Sequence, residues 1–172
     1  VTTVLEDLNQ YAAAEKILRD FTAEEPRAAL VLASFLARRG STEEALALCG
    51  KARKSHPLPS IIQVGLGTLR QRPQEVTKAQ RDLIQGWLDK AIADDPDSSN
   101  LQLQLADFRD QEGNFAEVIK IYRAYLERDD VNEQRKAVAK NNLAFVLATV
   151  DSSLRNPDEA LKLIDEAVRV LG

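Results

Sequence analysis

Apolar residues along this chain recur at helical spacing. Over residues 26–57, PRAALVLASFLARRGSTEEALALCGKARKSHP, they fall at Leu32, Phe35 and Leu36, then at Ala45, Leu46, Cys49 and Ala52. Separations of three and four residues place each set on one face of a helix. Between the two runs stands Arg39-Gly40-Ser41. Glycine enters the left-handed C-terminal stop without steric cost, and serine offers an oxygen to the next helix's free N–H groups. Glu44, three residues on, completes the pattern of a capping box. The stretch predicts one helical hairpin.

The pattern then recurs. In LQLQLADFRDQEGNFAEVIKIYRAYLERD, residues 101–129, a helix is expected to stop at Gly113 and another to open with Asn114 and Phe115. In AKNNLAFVLATVDSSLRNPDEALKLIDEAVRVL, residues 139–171, Asn156 can cap and Pro157 suits a first helical position. Residues 11–26 match the second helix of an earlier hairpin, and residues 60–96 a further hairpin with a looser connection near Pro73. The predicted helices are 10–23, 27–39, 42–55, 59–71, 76–94, 99–112, 115–128, 132–149 and 157–171, with a short stub at 2–8. No run alternates with the two-residue period of a strand between turn signals.

Two helices per unit and a period in the thirties resemble the tetratricopeptide repeat (TPR) family, whose repeats pair large and small residues at fixed positions. In the first full unit the matching residues are Leu32, Ala33 and Leu36, then Ala45, Cys49 in a usually aromatic slot, Ala52 and Pro57. The truncated first unit supplies Ala14, Leu18, Phe21 and Pro26. The 98–130 unit matches at Leu105, Ala106, Gly113, Phe115 and Tyr122, and departs at Arg109, Val118 and Tyr125. The last unit matches at Asn142, Leu143, Ala144 and Leu147, then Ala160, Ile164 and Ala167, with Asp151–Asn156 inserted between its helices. The 59–96 unit fits through Ile84, Leu88, Ala91 and Pro96, while IIQVGLGTL has no secure register. The closing unit is similar to bacterial members.

The resemblance implies an all-α, right-handed α-solenoid of roughly four and a half hairpins. Their approximate bounds are 1–24, 26–57, 59–96, 98–130 and 132–171, in a single segment of a longer protein. It also implies a concave groove lined by each unit's first helix. The groove positions would be Arg27, Leu30, Ser34 and Arg38, then Leu103, Asp107, Asp110 and Gln111, then Val138, Asn141, Phe145 and Thr149. The groove would bind a peptide or partner protein. The cationic set with which some relatives grip a terminal carboxylate is replaced by Leu30, Ser34 and Asp107, so that mode is not expected.

Charge and composition narrow the alternatives. The net charge is -4 and no window is strongly basic, which argues against a nucleic-acid partner. Lys51, Arg53, Lys54 and His56 sit at a helix end, where cations suit the dipole. No apolar run reaches the roughly 20 residues that span a bilayer. The single cysteine permits no internal disulfide. The chain begins at Val1 and contains no methionine, as expected of a processed form or a piece of a longer protein, from a bacterial cytoplasm or periplasm.

Enzymatic chemistry finds little support. His56 and Cys49 are seven residues apart, off a common helical face, so neither a metal site nor a Cys–His nucleophile is expected, and Cys49 is assigned to the core. Gly65 and Gly67 are followed by Arg70 where a dinucleotide fingerprint needs a small residue, so no cofactor is expected and both glycines are assigned to close helix packing. Asp94, Asp95 and Asp97 lack calcium-loop spacing, and Trp87 beside Leu88 is assigned to packing.

The last helix carries Ala160, Leu161, Leu163, Ile164, Ala167, Val168, Val170 and Leu171 around most of its circumference. The end of a repeat array needs a polar outer face, which this helix lacks. Self-association through it, or further repeats beyond it, are therefore expectations. An oligomerising module, or repeats regulating an enzyme domain elsewhere in a longer chain, are the alternatives to a peptide-binding scaffold.

Overall fold

The computed structural model describes residues 8–150 and 153–172. Among these residues every regular element is a helix. Most of the expected stub lies outside the described residues, and Leu8 is an exposed turn residue. Two compact units divide the chain, 1–94 and 95–172.

The first unit contains α1 (Tyr11–Glu24), α2 (Ala29–Arg38), α3 (Thr42–Ala52), α4 (Leu58–Gln71) and α5 (Lys78–Asp94). Short 3-10 turns at Pro26–Ala28 and Pro73–Glu75 precede α2 and α5. Proline starts both turns because it lacks the N–H that a first helical turn leaves unpaired. Each helix packs on its successor, and α2 also packs directly on α4. Ala45, Cys49 and Ala52 of α3 and Leu32, Ala33, Phe35 and Leu36 of α2 are buried, as their spacing predicts. Burial pushes the Cys49 thiol up to about 11, as befits a core residue.

The α2–α3 junction departs from the expected capping box. Gly40 takes the left-handed conformation, with φ of 86°, and Ser41 stands at the N-cap position. Its side chain makes no capping bond, however. Glu44 instead receives the Arg19 guanidinium of α1 through both oxygens, at 2.7 and 3.0 Å. A bidentate, charge-assisted pair outcompetes a single bond to a backbone N–H.

Gly65 and Gly67 also part company. Gly65 is packed so tightly against Ile84 of α5 that a Cβ would overlap the Ile84 Cδ1, and it lies close to Trp87 as well. Gly67 faces open space, so close packing does not account for it. Trp87 is 4% exposed and belongs to the core.

The second unit contains α6 (Ser99–Gln111), α7 (Phe115–Leu126), α8 (Glu133–Thr149) and α9 (Pro157–Leu171). Here the caps are made. Asn114, Asn132 and Asn156 accept bonds from the N–H groups of Glu117, Arg135 and Glu159. Gly113 stops α6 with φ of 72°. Successive helices pack in order, α6 on α7, α7 on α8 and α8 on α9.

The packing of first helices differs from that of α2 on α4. On α7, Val118 and Tyr125 stand in the slots that hold Ala45 and Ala52 on α3, and both are buried. The phenol ring of Tyr125 needs space that a methyl group does not. Between α6 and α8 a cavity of about 460 Å³ remains, lined in part by Tyr125.

Candidate functional site

The face where α6 and α8 meet solvent is built from one row on each helix. On α8 the row is Val138, Asn141, Phe145 and Thr149, separated by three, four and four residues. Such spacing keeps them on one side of the helix. Phe145 is 67% exposed and Val138 is 47% exposed, although α8 is a well-capped helix with a buried opposite face. The polar members turn inward on the helix: the Thr149 hydroxyl donates to the Phe145 carbonyl at 2.8 Å, and Asn141 donates to Asn142 at 3.4 Å.

On α6, Leu103 is half-buried and packs against the core of the unit. The Gln111 amide donates to Asp107 at 3.1 Å, and Asp110 is exposed. Tyr122 of α7 lies close to both acids. Burial raises its hydroxyl above the ordinary value, the negative charges of Asp107 and Asp110 raise it further, and a bond donated by Asn142 opposes them. The C-terminal end of α6 is thus an acidic neighbourhood resting on a protonated phenol.

The cavity lies at the opposite end of these two helices. Leu103, Tyr125, Val138 and Leu171 give it apolar walls, and Asn100, Asn132, Gln134 and Arg135 form its polar rim. The Tyr125 hydroxyl is buried and has no hydrogen-bond partner among the described residues. Sequence reasoning assigned Tyr125 only as a departure from a small residue. Its role in the cavity was legible only as a bulky side chain in an alanine slot.

In the first unit the expected groove residues fall on α2 and the turn before it. Arg27 and Arg38 are exposed, while Leu30 and Ser34 are half-buried. Ser34 donates to the Leu30 carbonyl at 2.9 Å, and Arg38 donates to the Ser34 carbonyl at 3.3 Å. The imidazole Nε2 of His56 lies 2.9 Å from the Arg27 carbonyl oxygen, so His56 ties α2's entry to the end of α3. Val31 was missed. It is 56% exposed and lies four residues after Arg27 and three before Ser34, a spacing that marks the same face.

Among the described residues no cluster of His, Cys, Asp and Glu could hold a metal ion, and Asp94, Asp95 and Asp97 are all exposed. No helix among the described residues is long and apolar enough to cross a membrane.

Comparison with known proteins places this geometry. Residues 3–69 match the model of the tetratricopeptide repeat family. No curated protein matches the sequence. Among solved structures, the chain is similar to YrrB, a TPR protein with an unusual peptide-binding site. The identity is 17% and the TM-score 0.55, with 99% of this chain and 82% of that one covered. It is also similar to the MamA RS-1 ArsTM double mutant, at 15% identity and a TM-score of 0.59, covering 99% of this chain and 90% of that one. The all-α helical-repeat fold is thereby shown. Residues 3–69 thus carry the tetratricopeptide repeat pattern, and the chain as a whole is similar in fold to a solved tetratricopeptide-repeat protein.

Proposed function

We propose that the chain captures a peptide or an extended segment of a partner protein along the α6–α8 face, and that its role is binding rather than catalysis. The observation that carries this reading is the pair Val138 and Phe145, large apolar side chains in solvent on the same helix that walls the cavity. Single exposed apolar residues are common, but a row leading to an apolar cavity is the usual form of a peptide site. The charge layout supports one polarity for the peptide. A carboxylate suits Arg135 at the cavity rim, an aliphatic side chain suits the cavity, and a cation suits Asp107 and Asp110. In the first unit, Arg27, Val31 and Arg38 form a smaller basic face that favours an acidic segment.

Selection from a displayed library of random twelve-residue peptides on the immobilised chain tests this. Enriched peptides are expected to carry an aliphatic residue near an acid, and to lose at least tenfold in affinity against Phe145→Asp and Val138→Asp. Enrichment of peptides indifferent to both substitutions, or no enrichment, overturns the reading.

We also infer a second role, assembly, from a separate observation. Leu161, Val168 and Leu171 of α9 are 64%, 58% and 49% exposed.

A further inference from the structure

Helix α9 packs on α8, with Leu163 and Ile164 half-buried against the core of the unit. Ala160 and Ala167 are buried there. The charges on its inner flank are paired, Glu159 with Arg123 of α7 at 2.9 Å and Glu166 with Lys140 of α8 at 2.9 Å. The outer side carries two rows that run side by side. One is apolar: Pro157, Leu161, Ile164, Val168 and Leu171, of which Ile164 is half-buried with one side against the unit's core, Leu171 also walls the cavity, and the others are exposed. The other is charged: Asp158, Lys162, Asp165 and Arg169, all exposed, and none of the four has a salt-bridge partner among the described residues.

Both rows have a symmetry that a solvated face does not require. Reversing the helix about Ile164 maps Pro157 onto Leu171 and brings Leu161 within one residue of Val168. A reversal centred half a residue earlier, between Leu163 and Ile164, maps Asp158 onto Arg169 and Lys162 onto Asp165, each carboxylate onto a cation. The centres of the two rows agree to within one residue, about 1.5 Å along the axis. In an antiparallel pair related by a two-fold axis, like flank lies beside like flank, so the apolar rows meet and the charged rows meet. A parallel pair would instead set each charged row beside the partner's opposite flank, leaving these pairs unmade.

We propose that the outer face of α9 is an isologous interface, on which a second copy of this chain docks its own α9 antiparallel across a two-fold axis at Ile164. The proposal rests on the assembly role and names its partner and geometry. Apolar burial supplies the affinity, and the charge pairs, made only in the antiparallel arrangement, set the orientation. A patch made by one face of a single helix is small, so weak, concentration-dependent association is expected.

Sedimentation equilibrium of the whole chain, up to several hundred micromolar, is the first measurement. A concentration-dependent dimer is expected, and a strict monomer overturns both the assembly role and the proposal. Two charge variants test the register. Lys162→Asp with Arg169→Asp makes the row wholly acidic, and Asp158→Lys with Asp165→Lys makes it wholly basic. Each alone is expected to self-associate at least tenfold more weakly, and an equal mixture to recover a heterodimer. Orientation is read separately by a short bis-maleimide. Ile164→Cys is expected to cross-link to itself, and Asp158→Cys not to, because its two copies stand roughly 16 Å apart along the axis; the native Cys49 is buried. A dimer insensitive to both charge variants, or one that cross-links equally at both cysteines, retains assembly and overturns the antiparallel geometry.

Discussion

Gly65 of α4 and Ile84 of α5 are in such close register that a single added methyl group on the glycine would occupy the space of the Ile84 Cδ1. Two residues along the same helix, Gly67 meets nothing. The pair makes a controlled experiment in helix packing. Gly65→Ala is expected to destabilise by about 1–3 kcal/mol through overpacking. Gly67→Ala is expected to stabilise by about 0.5–1 kcal/mol, since alanine loses less backbone entropy in a helix. Urea unfolding of both variants checks the contrast, and equal effects would contradict it.

Tyr125 makes a prediction of opposite character. Its hydroxyl is buried without a hydrogen-bond partner among the described residues. Removing an unsatisfied polar atom relieves its desolvation, so Tyr125→Phe is expected to leave stability unchanged or raise it by about 1 kcal/mol. A loss of similar size in thermal or urea unfolding would mean that the hydroxyl is satisfied in the folded chain.

The Arg19–Glu44 pair links α1 to α3 and carries a pH dependence. The Arg19 guanidinium holds the Glu44 carboxyl below its ordinary value of 4.5. A depressed folded value stabilises at pH above the ordinary one, and the gain is lost as pH falls through the lowered value. The side chains are 42% and 45% exposed, so solvent screens the pair and its contribution is about 0.5 kcal/mol. Glu44→Gln is expected to lose that amount at neutral pH and to match the parent chain well below pH 4.5. A difference that persists at acid pH would place the effect in packing instead.

What the sequence made legible was local. Gly40, Gly113, Asn114, Asn156 and Pro157 act where chain chemistry places them, because a left-handed stop or a cap depends on residues within a few positions. The Glu44 half of the capping box was misread because Arg19, which takes its carboxylate, lies twenty-five residues away and is brought there only by the fold. The α8 row was legible from spacing alone, but Val31 was passed over although its spacing to Arg27 and Ser34 marks the same face. The cavity depends on Tyr125 filling an alanine slot, a volume effect that becomes a position only once α6, α7 and α8 are packed.

The central claim is that a partner lies along the α6–α8 face. Amide chemical shifts of the labelled chain, recorded while a library-selected peptide is added, test it most directly. The account predicts shifts concentrated at Leu103, Val138, Asn141 and Phe145, with Leu161, Lys162 and Asp165 of α9 unmoved. Shifts confined to α9 or to the first unit, with those four residues silent, would contradict it.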